Sequence, residues 1–160
     1  MDGFEIERKF KVNPAEVPGL KTAKHKEIQQ GYCGSNEEPL RIRKIGGKYF
    51  LTKKTGSGMV RTETEEEISE KLYNIMYVHC MGRIVNKTRY YIKLKGPGKL
   101  VAEVDIYKAP LNGFAVVEVE FESVEQANKF VPPQWFGEEI TNDDTLTNAS
   151  ISKIGTDERM

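Results

Sequence analysis

The chain has 160 residues, with 24 Lys and Arg against 24 Asp and Glu, so it is formally neutral. That length fits one domain, and neutrality excludes the basic excess of a general nucleic-acid or anionic-membrane binder, although both signs can still be concentrated in one cavity. No apolar run reaches membrane-spanning length and the first residues lack the shape of a signal peptide, so a soluble, cytoplasmic protein is expected. Cys33 and Cys80 are the only cysteines; they fit a reduced compartment and read as packed side chains, not as metal ligands or nucleophiles.

The first predicted strand carries Glu5, Glu7 and Lys9 at every second position, with Phe4, Ile6 and Phe10 opposite and Arg8 breaking the apolar row. Successive side chains of a strand point to opposite faces, so the two acids and the lysine share one side. A second strand is expected near 28–33. Gly46-Gly47 divides 40–45 from 48–54 as a hairpin, and Thr55-Gly56-Ser57-Gly58 leads to a strand near 59–67. Ile68, Leu72, Ile75, Met76 and His79 then follow helical spacing. Gly96-Pro97-Gly98 turns 83–95 back into 99–108, and 109–113 leads into 114–122. A second helix begins at Ser123 with Gln126 as its capping-box partner, and Pro132-Pro133 ends it. A short helix is predicted near 145–151, and 156–160 reads as a frayed tail. The fold class is therefore mainly β (α+β), with eight strands joined mostly as antiparallel neighbours and a few flanking helices, in a single domain over 1–155.

The alternation of the first strand recurs. Arg41 and Arg43 share a face, as do Thr52 and Lys54; Arg61, Glu63 and Glu65; Lys87, Arg89 and Tyr91; Glu103 and Asp105; and Glu118 and Glu120. An ordinary half-buried sheet would look similar on any one strand. The repeated face is nevertheless mostly Arg, Lys and Glu in same-sign pairs, which repel and call for a counterion, metal or ligand. A sheet closed into a barrel would gather these faces inside, with the apolar faces outward under the helices. Acid pairs suit a hard cation such as Mg²⁺ or Mn²⁺, and the Arg/Lys set suits a polyphosphate. Acids for a metal and bases for phosphates in one cavity describe phosphoryl-transfer chemistry. The chain contains no HExxH, P-loop, Rossmann fingerprint or nucleophile elbow.

Glu5-x-Glu7-x-Lys9 resembles the signature of the CYTH family, the triphosphate tunnel metalloenzymes. Gln30-Gly31-Tyr32, Leu40-Arg41-Ile42-Arg43, Phe50-Leu51-Thr52-Lys53-Lys54, Lys87-Thr88-Arg89-Tyr90, Glu103-Val104-Asp105 and Val117-Glu118-Val119-Glu120-Phe121 are similar to family blocks in family order. Trp135-Phe136-Gly137-Glu138-Glu139-Ile140-Thr141 is similar to the segment after the last barrel strand in short bacterial members. The resemblance implies an eight-stranded antiparallel closed tunnel barrel, a Mg²⁺ or Mn²⁺ cofactor and a small-molecule triphosphate substrate, inorganic triphosphate foremost. By position, Glu5, Glu7, Glu118 and Glu120 would hold metal. Glu63, Glu65, Glu103 and Asp105 would bind a second metal or position the attacking water, with Glu65 and Glu103 taken as ligands and Glu63 and Asp105 as catalytic. Lys9, Arg41, Arg43, Lys54, Arg61, Lys87 and Arg89 would bind the triphosphate, and Tyr32 would pair with Lys54 in a proton-transfer role. An adenylate cyclase of the same family and a non-catalytic polyphosphate- or nucleotide-binding module are the alternatives. No nucleic acid or membrane partner is expected, and outward apolar positions leave room for a homodimer. One departure concerns Asp143-Asp144-Thr145-Leu146-Thr147-Asn148, which lacks the basic or aromatic residues that short relatives carry before that Asn, so closure of one tunnel mouth is left open.

Overall fold

The computed structural model describes residues 2–34 and 39–153; the tail expected at 156–160 lies outside the described residues. Nine strands form in chain order: β1 (Asp2–Val12), β2 (Lys24–Gly34), β3 (Pro39–Ile45), β4 (Lys48–Thr55), β5 (Val60–Ile68), β6 (Ile84–Lys93), β7 (Val101–Tyr107), β8 (Ala115–Phe121) and β9 (Phe136–Glu139). The helices are α1 (Glu70–Tyr77), α2 (Val124–Lys129) and α3 (Asn148–Ile151). The sheet runs β5-β4-β3-β2-β6-β7-β8-β1, every pairing is antiparallel, and β1 pairs back onto β5 to close an eight-stranded barrel. Among the described residues no helix is long and apolar enough to cross a membrane.

The β3–β4 hairpin shows how local chemistry sets register. Gly46 and Gly47 take φ values of 57° and 77°, and a two-residue turn with both central residues at positive φ matches the twist of the flanking strands. Ile45 therefore faces Lys48, and Arg41 faces Thr52. Two boundaries differ from the sequence expectation. Strand β2 begins at Lys24 and not near 28, because its first residues pair with β6 despite carrying no apolar alternation. The unexpected β9 pairs with the second half of β1, whose first half is taken by β5.

The apolar faces point outward and are covered in patches. Phe10, Val104, Val117, Val119 and Phe121 pack with Ala127 of α2 and Phe136 of β9, and Trp135 lies against the same cluster. Arg8, the polar exception in the apolar row of β1, fastens this layer. Its guanidinium donates to the carbonyls of Ala127 and Phe130 at 3.0 and 2.9 Å and pairs with Glu139 at 2.7 Å. It thus adds a charged donor at the carbonyls that end α2. Ser123 Oγ accepts from the Gln126 backbone N–H, as the capping signal predicts, and Gln126 returns a bond to the N–H of Glu122. Phe4, at 75% exposure, lies beyond this cover.

Helix α1 sits in a different rotation from the one its spacing suggests. Tyr73 is the buried residue, packed on Tyr49 and donating to the Gln29 side-chain oxygen at 3.0 Å, with Met76, Tyr77 and Ile68 beside the same cluster. Leu72 and Ile75 face outward at 41% and 54% exposure. An aromatic that fills the groove and satisfies its own hydroxyl outweighs two aliphatics on a neighbouring stripe.

Candidate active site

Inside the barrel the charged faces converge on a cavity of about 770 Å³, a size ordinary for a small-molecule site. The acids lie on one arc of adjacent strands: Glu103 on β7, Glu118 and Glu120 on β8, Glu5 and Glu7 on β1, and Glu63 and Glu65 on β5. The bases Arg41 and Arg43 on β3, Lys54 on β4 and Arg89 on β6 lie on the other arc, with Tyr32 of β2 among them. Lys9 and Arg61 also line the cavity, from the acid arc. Lys87 and Asp105 do not line it. Both are fully buried past the end of the cavity, where Lys87 Nζ meets Asp105 at 2.7 Å and Arg89 grips the same carboxylate with two bonds of 2.8 and 2.9 Å. In this arrangement Asp105 organises bases and is not aimed at a substrate.

The base arc is held by complementary neighbours. Arg89 faces Asp105 across the β6–β7 ladder, Gln30 faces Arg43 across β2–β3, and Thr52 of β4 lies between Arg41 and Glu65, donating to Glu65 at 2.7 Å. Burial opposes the charge of Arg89, but Asp105 outweighs it and holds the guanidinium well above its ordinary range. Asp105 is kept well below the carboxylate range: burial would raise it, and Arg89 and Lys87 overcome that. Burial draws Lys87 down to about 7 against the pull of Asp105. Arg43 is pulled to about 10 by burial and by the like charges of Arg41 and Arg89. Among the described residues no carboxylate lies within ion-pair distance of Arg43, and Arg41 Nε is buried with no hydrogen-bond partner. These are donors waiting for an anion.

The acid arc is built differently. Glu7 faces Glu120 and Glu103 faces Glu118 directly across their ladders, and like charges in such positions repel. Burial, then Glu118 and Glu5, lift Glu7 well above the carboxylate range. Burial and a hydrogen bond with Glu5 raise Glu63 to about 7. Burial also raises Glu103 and Glu120, the latter with help from Glu5. Two acids escape. Burial pushes Glu5 up, but Lys54 at 2.9 Å and the bond from Glu63 leave it below its ordinary value; Glu118 is held at about 2 by Lys9 and Arg89 in spite of burial. Burial and the negative charge gathered on this arc favour the neutral form at Glu7 and Glu63. Among the described residues no three acids, histidines or cysteines already surround one point as a complete metal cage. The pairs fit instead a hard cation that takes one or two carboxylates and completes its shell with waters and phosphate oxygens.

The C-terminal segment lines the cavity's remaining side. Lys9 Nζ donates to the Leu146 carbonyl at 3.0 Å, and Asn148 Oδ1 accepts from Lys87 Nζ at 3.3 Å and from the Tyr107 hydroxyl. Beyond Lys87 and Asp105, Val85, Tyr107 and Val116 pack with Ile140 and Ile151 and fill that end of the barrel. The stretch that departs from the family pattern therefore lines the cavity, through Leu146 and Asn148 among others, without a basic or aromatic residue of its own. The expected short helix near 145–151 is divided into a 3₁₀ turn at Asp144–Leu146 and α3, with Thr147 capping α3.

Tyr32 and Lys54 both line the cavity, yet Lys54 is given to Glu5, and the Tyr32 hydroxyl accepts from Gln30 Nε2 at 2.7 Å. Sequence reasoning left Gln30 without a role, although it stands two residues before Tyr32 and so shares its face. Asn148 and the Leu146 carbonyl carried no periodic signal.

Residues 3–150 match the family model described as the CYTH domain. The chain is 37% identical over 150 residues to the inorganic triphosphatase of Nitrosomonas europaea, covering 92% of this chain and 96% of that protein. It is 31% identical over 154 residues to the inorganic triphosphatase of Acetivibrio thermocellus, covering 94% of each. A crystal structure of an inorganic triphosphatase superposes with a TM-score of 0.68 at 35% identity, over 93% of this chain and 94% of that one. With charged faces turned into a closed antiparallel barrel and a match along nearly its whole length, the chain belongs to the CYTH family.

Proposed function

We infer that the protein hydrolyses a triphosphate, inorganic triphosphate foremost, to release phosphate with the help of Mg²⁺ or Mn²⁺. The observation that carries this reading is the coexistence in one cavity of buried guanidinium donors left over, Arg41 Nε without a hydrogen-bond partner and Arg43 without a carboxylate at ion-pair distance among the described residues, and of crowded carboxyls at Glu7, Glu63 and Glu120. A metal-bound polyphosphate is neutralised by both. The two triphosphatase relatives point the same way.

Arg41, Arg43 and Arg89 would hold phosphate oxygens with the paired bonds a guanidinium makes, while Lys54 and Arg61 add charge at the opening. Glu7, Glu118 and Glu120 would hold the cation, with Glu5, Glu65 and Glu103 beside them. When bound, a divalent ion supplies charge at the phosphate oxygens and lowers the pKa of a coordinated water. Glu63, with its pKa near 7, can accept a proton from a water aligned with the terminal phosphorus. Asp105 and Lys87 keep Arg89 oriented from the filled end of the barrel.

Inorganic triphosphate is favoured over a nucleotide because Tyr32, itself only 5% exposed, is the one aromatic residue lining the cavity among the described residues. A base would find no ring to stack on. The test is phosphate release from inorganic triphosphate, ATP and thiamine triphosphate, each with Mg²⁺, Mn²⁺ or chelator. Fastest release from inorganic triphosphate is expected. Cyclic AMP from ATP would instead identify a cyclase, and stabilisation by triphosphate with no turnover would identify a binding module.

A further inference from the structure

We propose that Gln30 is a positioning residue that makes Tyr32 a one-way hydrogen-bond donor into the cavity, directed at an oxygen of the bound triphosphate. The proposal rests on the triphosphatase reading and adds to it a residue with no assigned role.

Gln30 is fully buried on β2, opposite Arg43 and two residues before Tyr32 on the same face. Arg43 Nε donates to Gln30 Oε1 at 3.0 Å. A guanidinium has no acceptor, so it can only take the oxygen end of the amide, and the amide nitrogen is left facing Tyr32. That nitrogen donates to the Tyr32 hydroxyl oxygen at 2.7 Å. The guanidiniums of Arg41 and Arg43 also act on this hydroxyl and are donors only, while the one carboxylate that acts on it, Glu118, does so from the cavity lining. Gln30 therefore occupies a lone pair of this oxygen, and neither its amide nitrogen nor a guanidinium can receive the hydroxyl proton. Tyr32 lines the cavity, so its O–H bond has only the cavity to point into. Burial raises the hydroxyl's pKa, which keeps that proton on the oxygen. The chain Arg43 to Gln30 to Tyr32 thus has one direction, and it ends on the substrate. A fully buried amide at this place is otherwise an expensive choice, since an apolar residue would pack without needing partners.

The experiment is a double-mutant cycle on kcat/KM for inorganic triphosphate, using wild type, Gln30→Glu, Tyr32→Phe and the double variant. A carboxylate at position 30 still accepts from Arg43 but also accepts the tyrosine proton, turning it away from the cavity. Gln30→Glu and Tyr32→Phe should each lower kcat/KM by about tenfold or more, and the double variant should be no worse than the poorer single. Multiplied losses in the double variant, or no loss in Gln30→Glu, would overturn the proposal. Should Gln30→Glu fail to fold, the near-isosteric Gln30→Met carries the same comparison: its loss must be smaller in the Tyr32→Phe background than in wild type, and equal losses overturn it. If the wild type releases no phosphate from inorganic triphosphate, the triphosphatase reading falls by itself. The same proteins are then compared by calorimetric affinity for inorganic triphosphate in chelator. Non-additive losses there support the donor geometry, whereas additive losses or an absence of binding overturn it.

Discussion

The two arcs of the barrel wall solve opposite problems. On β2, β3 and β6 each buried base has been given a partner behind or beside it: Asp105 for Arg89 and Lys87, Gln30 for Arg43, Thr52 and Glu65 for Arg41. That side is set before any ligand arrives. On β7, β8, β1 and β5 the carboxyls are placed against one another, Glu7 opposite Glu120 and Glu103 opposite Glu118, and several are lifted toward neutrality. That side is unfinished without positive charge. The contrast shows that partnered bases and mutually repelling carboxyls can be built from one alternation rule, differing only in what the neighbouring strand places opposite.

The largest way to break the base arc is from behind. Asp105→Ala leaves Lys87 and Arg89 buried without their carboxylate and should destabilise the fold by about 3–5 kcal/mol in denaturant titration; a loss below about 1 kcal/mol would mean that the triad is not what holds this side. On the acid arc, Glu7→Gln should lower kcat/KM by about 10²–10³ while raising the melting temperature of the chelated protein, because it removes a repelled carboxyl. A variant that loses activity and stability together would contradict the idea of an arc in tension. Arg41→Ala removes a buried donor set and should weaken triphosphate binding by about 1.5–3 kcal/mol, seen chiefly as a raised KM.

The smallest effect is in pH. Glu63 has an ordinary value of 4.5 and is raised to about 7 in the fold, so its protonated form favours the folded state below 4.5, and that contribution is lost as pH rises through 7. The chelated protein should therefore lose melting temperature across this window, and Mg²⁺ should flatten the loss. An identical pH slope with and without Mg²⁺ would mean that no cation binds close enough to Glu63 to act on its proton.

Much of this was legible in the sequence because strand alternation is a rule of geometry. Glu5, Glu7 and Lys9, or Arg61, Glu63 and Glu65, share a face whatever their surroundings, and the glycine turns order the strands around the barrel. Depth along the axis was not legible. Lys87 shares a face with Arg89 but lies past the end of the cavity, and nothing in a periodicity of two says where packing by Val85 and Tyr107 begins. The rotation of α1 was misread for a related reason: Leu72 and Ile75 formed an apolar stripe, while Tyr73 had a partner on a strand distant in sequence. The short C-terminal elements were partly hidden because their role rests on single contacts, Leu146 to Lys9 and Asn148 to Lys87, that no repeat announces.

The most direct test of the central contrast is phosphate release from inorganic triphosphate as Mg²⁺ is raised from complete chelation. No release is expected in chelator, followed by a saturable rise that Glu7→Gln largely abolishes. Release in chelator at the rate reached with saturating Mg²⁺ would contradict it, since the acid arc would then be doing its chemistry without the cation its carboxyls lack.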